Sequence, residues 1–383
     1  MDLKTGDVLF EKNADTPFPP ASTMKIATVI CAIESGRPLD ATVIATRELM
    51  KKVSRTRRVA NGGYGAYTHE LTPDATVYGI VHGEEHTLRD LMYGAMLVSG
   101  GDACNHIAMM VSGDLDRFVD KMNRLAQGLG CKNTKFYNTH GFYHPKQVTT
   151  ARDLGKITQY AMKNPVFREI AATPYFERPK SNKQPARKLK NFNSLVVPDS
   201  RHYFPGCFGV KTGYHNEAKW NLVAAAKCGD RTLLAVVMQG AERNFIYHDT
   251  TALFKAASVE KKVVRKLFSA DEAQFKRVIS DAKYPIYSKL SRDIAIDYYP
   301  SQEPEVNAEI VWRELKMPLK VGDLAGEMRV TAKNGDLLAT RPLFLKHTPK
   351  PTFWFVFKRF VFPWGLVGVL GLLALFFFYP RKS

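Results

Sequence analysis

At 383 residues the chain has room for two domains and a large core. Its formal net charge of +18 points to an anionic neighbour: nucleic acid, lipid surface or polymer. Zinc-finger spacing, an RNP-like run and a phosphate-loop motif are all missing, which argues against nucleic acid. The basic residues are scattered, and the small clusters at Lys51-Lys52 with Arg55, Arg57 and Arg58, and over 180–190, read as solvated surface.

Met1-Asp2-Leu3-Lys4-Thr5-Gly6 contains no apolar stretch of the kind that drives export. Lys4-Thr5-Gly6 reads as a turn into a strand, Asp7 to Glu11. Pro19-Pro20-Ala21 then gives an extended approach that ends at a helix start. Ser22-Thr23-Met24-Lys25 opens an apolar helix through Ile33. A Ser and a Lys three apart share one helix face, so they can act as nucleophile and base without a histidine. The helix N-terminus adds a field that favours negative charge. The same spacing recurs at Ser258…Lys261 and Ser280…Lys283, but neither copy follows a Pro-Pro-Ala approach or opens an apolar helix.

Further along, Leu88 to Val98 and Ala103 to Val111 read as helices. Ser99-Gly100-Gly101-Asp102 is the short break between them, and helix continues through Phe118 to Leu125. Lys211-Thr212-Gly213 follows Phe208-Gly209-Val210 and precedes the strand-like run Trp220 to Ala225. On a strand edge it offers an ammonium, a hydroxyl and a bare backbone to an extended ligand. Thr232 to Met238 reads as another strand, and Asp249 to Lys255 as a helix closing the sheet. Residues 1–257 therefore form an α+β domain, a helical cluster beside an antiparallel sheet.

The ordered set Ser22-x-x-Lys25, Ser99-Gly100-x and Lys211-Thr212-Gly213 resembles the penicillin-binding proteins and serine β-lactamases. The flanks are similar to the low-molecular-weight D-alanyl-D-alanine carboxypeptidases: 5–15, 19–26, 91–97, 133–136, His140-Gly141-Phe142, 150–154, 191–195 and 209–214. The resemblance implies that Ser22 is the nucleophile, Lys25 its base and Ser99 the relay to the leaving amine. It implies that Lys211 and Thr212 bind the substrate's terminal carboxylate, with Gly213 and Tyr214 completing the binding edge. The backbone N–H groups of Ser22 and Tyr214 would hold the oxyanion. It further implies peptidoglycan stem peptides as substrate, β-lactams as covalent inhibitors, no metal or organic cofactor, and a place on the extracytoplasmic (periplasmic) side of a bacterial membrane. The family also places a strand and an export signal ahead of the segment that opens this chain, so the true reading frame is expected to begin upstream. Two positions depart from the pattern. Gly101 stands where the family usually has an Asn whose carboxamide bonds the substrate, with Asn105 one turn on as a stand-in. Ile246 stands where an Arg is usual, with Arg243 nearby. A stem-peptide-binding membrane module without activity, a D,D-endopeptidase and a β-lactamase stay open beside the carboxypeptidase.

Cys31, Cys104, Cys131, Cys207 and Cys228 show no metal-ligand spacing and read as buried free thiols, a disulfide between two of them being open. From 258 to 345 short alternating strands and an Asn334-Gly335 turn read as a small β domain, similar to the C-terminal domain of the same carboxypeptidases. A linker over 346–359 leads to Phe360–Tyr379, an uncharged run of 20 residues. That length crosses the ~30 Å hydrocarbon core as a helix. Trp364, Tyr379 and the flanking Lys358-Arg359 and Arg381-Lys382 suit its interfaces, and the charges at both ends leave its orientation open.

Overall fold

The five-residue run Leu222-Val223-Ala224-Ala225-Ala226 is apolar throughout, as a strand covered on both faces must be. In the computed structural model, which describes residues 1–53 and 69–361, it lies in the middle of a three-stranded antiparallel sheet. The strands are Cys207–His215, Lys219–Cys228 and Arg231–Gly240, in that order. Alternate residues enter different cores. Val223 and Ala225 join the helical cluster, while Leu222, Ala224 and Ala226 meet Ile246, Tyr247 and Phe254 of the closing helix. That helix is longer than its apolar pattern suggests, running from Arg243 to Val259.

The chain divides into two units, Met1–Glu260 and Lys261–Ser383. In the first, helix Lys25–Ile33 buries every residue but the last, so it runs through the centre of the helical cluster. Helix Leu88–Leu97 packs beside it and starts at a capping box, with Thr87 and Asp90 each bonding the other's backbone N–H. Helix Gly101–Ser112 follows and ends at left-handed Gly113. Helix Leu115–Gly128, capped by the Asp114 side chain, is amphipathic and buries Phe118, Val119, Met122 and Ala126.

The opening strand is not the expected one. Met1–Leu3 pairs with the outer strand: Leu3 N–H donates to Thr232 O at 2.8 Å and Leu234 N–H to Met1 O at 2.8 Å. A turn at Gly6 (φ 83°) follows, and 7–11 runs irregularly. With Met1–Leu3 on that edge, the later segment has no ladder to join among the described residues. The opposite edge, strand Cys207–His215, faces the Ser22 turn.

From 263 to 345 the second unit is built mainly of strands, and a short helical segment, 353–361, follows among the described residues. A five-stranded sheet runs in the order Val306–Trp312, Leu324–Ala332, Leu337–Leu345, Ile286–Leu290, Phe275–Arg277, and Val263–Phe268 pairs with Ile294–Tyr298. Its core holds Ile286, Leu290, Ile294, Met328, Val330 and Leu343. Gly335, at φ 90°, turns the hairpin that Asn-Gly announces. Apart from its first two residues the apolar run 360–379 lies outside the described residues, as do Arg55, Arg57 and Arg58. Among the described residues no helix is long and apolar enough to cross a membrane.

Candidate active site

Ser22 sits on a 3-10 turn, Ala21–Met24, that leads into helix Lys25–Ile33. The Pro pair does not run extended into it, because Pro20 already has helical angles. The sheet holds this turn: Asn221, in the middle strand, donates to Pro19 O at 3.2 Å and Pro20 O at 3.1 Å. Its carbonyl accepts Gln239 N–H at 2.9 Å. Lys25 Nζ lies 2.7 Å from Ser22 Oγ and donates to His140 O at 2.5 Å.

Lys25 and Lys211 are both buried, and neither has an ion pair among the described residues. Burial pushes the Lys25 pKa below its ordinary value, against the weaker pull of Cys104 and Asp102. Burial also takes Lys211 well down, and the charge of Lys25 takes it further. Two ammonium groups so close in a dry interior disfavour the doubly protonated state. His140 is pushed down to about 3 by burial and by Lys25, so its ring is neutral.

Ser99 joins helices Leu88–Leu97 and Gly101–Ser112 with a left-handed backbone, φ 61°. Asp102 stabilises this junction from beneath. Its buried carboxylate accepts N–H bonds from Tyr78, Gly79, Ile80 and Ala103 at 2.7, 2.9, 3.1 and 2.9 Å. Gly101 N–H donates to Thr76 O at 3.0 Å, so segment 71–80 is fastened along the start of the helix.

On the other side, Gly213 brings the edge strand against the Ser22 turn. A Cβ there would lie 3.0 Å from both Ser22 N and Thr23 N. Gly141 comes closer still: at φ +84° its Cβ would lie 2.1 Å from Ala21 O. Both positions need glycine because backbone meets backbone.

Between these walls is a cleft of about 510 Å³ lined by Ser22, Lys25, Ser99, Thr212, Gly213 and Tyr214 among others. Six of the seven expected residues thus share one cavity. Lys211 does not line it; its side chain runs beneath, with Nζ donating to Thr212 O at 3.0 Å. Trp220 stacks on Tyr214 at 4.2 Å, and Arg243 lies over Trp220 at 5.7 Å, at the cleft wall. Ile246 is in the core. Asn105 cannot replace a missing carboxamide in the cleft. Its amide donates to Leu49 O and His69 O, and its carbonyl accepts from Thr139. Ser258, in one of the duplicate motifs, donates to Phe254 O within its helix.

Residues 1–242 match the D-alanyl-D-alanine carboxypeptidase family. The chain belongs to that family. It is 29% identical over 380 residues to the D-alanyl-D-alanine carboxypeptidase DacF of Bacillus subtilis, covering 95% of this chain and 88% of the relative. Among solved structures, a Streptomyces DD-transpeptidase is similar at 31% identity with a TM-score of 0.56, covering 67% of this chain and 95% of that one. The D-alanyl-D-alanine carboxypeptidase DacD of Francisella tularensis shares the fold at 20% identity and a TM-score of 0.61, covering 92% of both chains.

Within this D-alanyl-D-alanine carboxypeptidase fold, three contributors were not legible as site residues. His140 supplies the carbonyl that fixes Lys25, Asp102 fastens the Ser99 junction, and Leu71 fills the space at Gly101. His140 carried one signal, its place in the family-like segment His140-Gly141-Phe142, and Asp102 only its place in the Ser99 break. Leu71 carried none.

Proposed function

We propose that the protein is a serine D-Ala-D-Ala carboxypeptidase that removes the terminal D-Ala from peptidoglycan stem peptides through an ester on Ser22. One observation carries this: a fully buried lysine amine 2.7 Å from a serine oxygen that opens on a cleft. A neutral amine keeps one N–H on His140 O and turns its lone pair to Ser22 Oγ. Ser22 Oγ attacks the carbonyl carbon of the last peptide bond and its proton passes to Lys25 Nζ. The oxyanion is received by the N–H groups of Ser22 and Tyr214. Ser99 relays the proton to the departing amine as the C–N bond breaks, releasing D-Ala. Water then attacks the ester, returns a proton to Ser22 and frees the shortened peptide. Thr212, whose carbonyl accepts a hydrogen bond from Lys211 Nζ, holds the terminal carboxylate. β-Lactams acylate the same serine. The run 360–379 anchors the chain in the bacterial cell membrane, with the catalytic unit on the extracytoplasmic side.

Labelled penicillin tests the nucleophile: the protein is labelled and Ser22→Ala is not. Free D-Ala release from a pentapeptide supports the carboxypeptidase. Cleavage of a cross-linked dimer without D-Ala release, or rapid turnover of the penicillin, moves the assignment to an endopeptidase or a β-lactamase. Labelling of Ser22→Ala refutes the mechanism. Loss of the chain from the membrane fraction on truncation at 359 tests the anchor.

A further inference from the structure

Position 101 has no side chain, yet the cleft wall beside Ser99 is closed. A Cβ at Gly101 would lie 2.8 Å from Leu71 Cδ2, so a leucine methyl from another segment occupies that volume. Leu71 is 1% exposed but lines the cleft together with Ser22, Lys25 and Ser99. It is not free to swing away. Its N–H donates to Lys51 O at 2.9 Å, and its carbonyl accepts Val53 N–H at 2.8 Å. On either side the segment is tied to helix Gly101–Ser112, at His69 O by the Asn105 amide (2.9 Å) and at Thr76 O by Gly101 N–H (3.0 Å). Leu71 and Gly101 together put no side-chain hydrogen-bonding atom at this place. A substrate lying between this wall and the Thr212–Tyr214 edge meets the Leu71 methyl beside Ser99, while Thr72, Asp74 and Thr76 line the cleft further along the same segment.

We propose that Leu71 is the specificity-determining residue of the acyl-donor side, an inference resting on the serine-peptidase reading above. Its methyl takes the volume beside Ser99 and restricts the residue donating the acyl group to a small aliphatic one. An apolar wall of this kind discriminates by size, about 10- to 200-fold per methylene.

The test compares kcat/KM for two tripeptide donors, one ending D-Ala-D-Ala and one ending D-Leu-D-Ala, with penicillin labelling run beside each protein. The wild type prefers the first donor. Leu71→Ala, still labelled at Ser22, narrows that preference by about tenfold or more, since the larger side chain enters the vacated volume. Leu71→Val moves the ratio the same way and serves if the alanine variant does not fold. Gly101→Asn alone lowers the labelling rate at least about tenfold, and Leu71→Ala in the same chain restores it. An unchanged donor ratio in a labelled Leu71 variant overturns the role of Leu71 while leaving the nucleophile intact. Wild-type labelling of Gly101→Asn alone overturns it as well. A wild-type chain that takes no penicillin overturns the serine-peptidase reading and this inference with it.

Discussion

Replacing Lys25 by Met removes the amine that lies 2.7 Å from Ser22 Oγ while keeping a long unbranched side chain in the same buried channel. A positioned general base contributes about 10²–10⁴-fold, or roughly 3–5 kcal/mol of barrier. The acylation rate of Lys25→Met with labelled penicillin should fall by that factor. The pH profile carries the sharper test. Burial lowers the Lys25 pKa from 10.5, so the wild-type rate rises along a limb below 10.5, and the variant lacks that limb. Stability follows the same titration. Between the lowered folded pKa and 10.5 the unfolded chain binds more protons, so wild-type stability rises with pH across that window. Lys25→Met lacks that contribution and keeps only the one from Lys211. It also leaves His140 O without its 2.5 Å donor, a pH-independent cost of about 1–3 kcal/mol. The stability gap between the two proteins must therefore shift in favour of the wild type as pH rises, whatever its size at pH 7. A variant acylated within tenfold of wild type, or a wild-type limb at or above 10.5, refutes Lys25 as the base.

Gly141→Ala would put a methyl 2.1 Å from Ala21 O at a positive φ. It should cost about 3 kcal/mol or more in urea unfolding and abolish labelling; a loss under about 1 kcal/mol contradicts the close approach. Asp102→Ala removes the acceptor of four backbone N–H groups. A loss of about 3–5 kcal/mol is expected, with Asn recovering part of it, and an unchanged Tm rules out the clamp. All five cysteines are free. Burial raises Cys31, Cys131 and Cys207 to about 12 and Cys104 to about 11. A thiol reagent at pH 8 should therefore react slowly with the folded protein and fully after denaturation; rapid native reaction of two or more contradicts this.

Chain order and local period made several features readable in advance. The run after Ser22 is apolar almost throughout, and on a helix three residues from Ser22 bring Lys25 to the same side. The Ser99 break lies between two apolar helical runs, and Trp220 to Ala225 reads as a strand; that both its faces are covered is shown by the packing. Segment 7–11 was misread because strand formation depends on which edge is vacant, and Met1–Leu3 occupies the neighbouring one.

What the sequence by itself determined is therefore the set of short-range geometries: Ser22 with Lys25, Ser99 between helices, Lys211 to Gly213 on a strand. Each follows from the backbone's own period. Only the tertiary structure decided what those groups experience. The carbonyl that fixes Lys25 is 115 residues away, at His140. The strand that makes Lys211 a buried neighbour of Lys25, and the leucine that closes the wall at Gly101, come from other segments again. Burial and close approach are properties of packed pairs, and no local period encodes which distant segment supplies the second member.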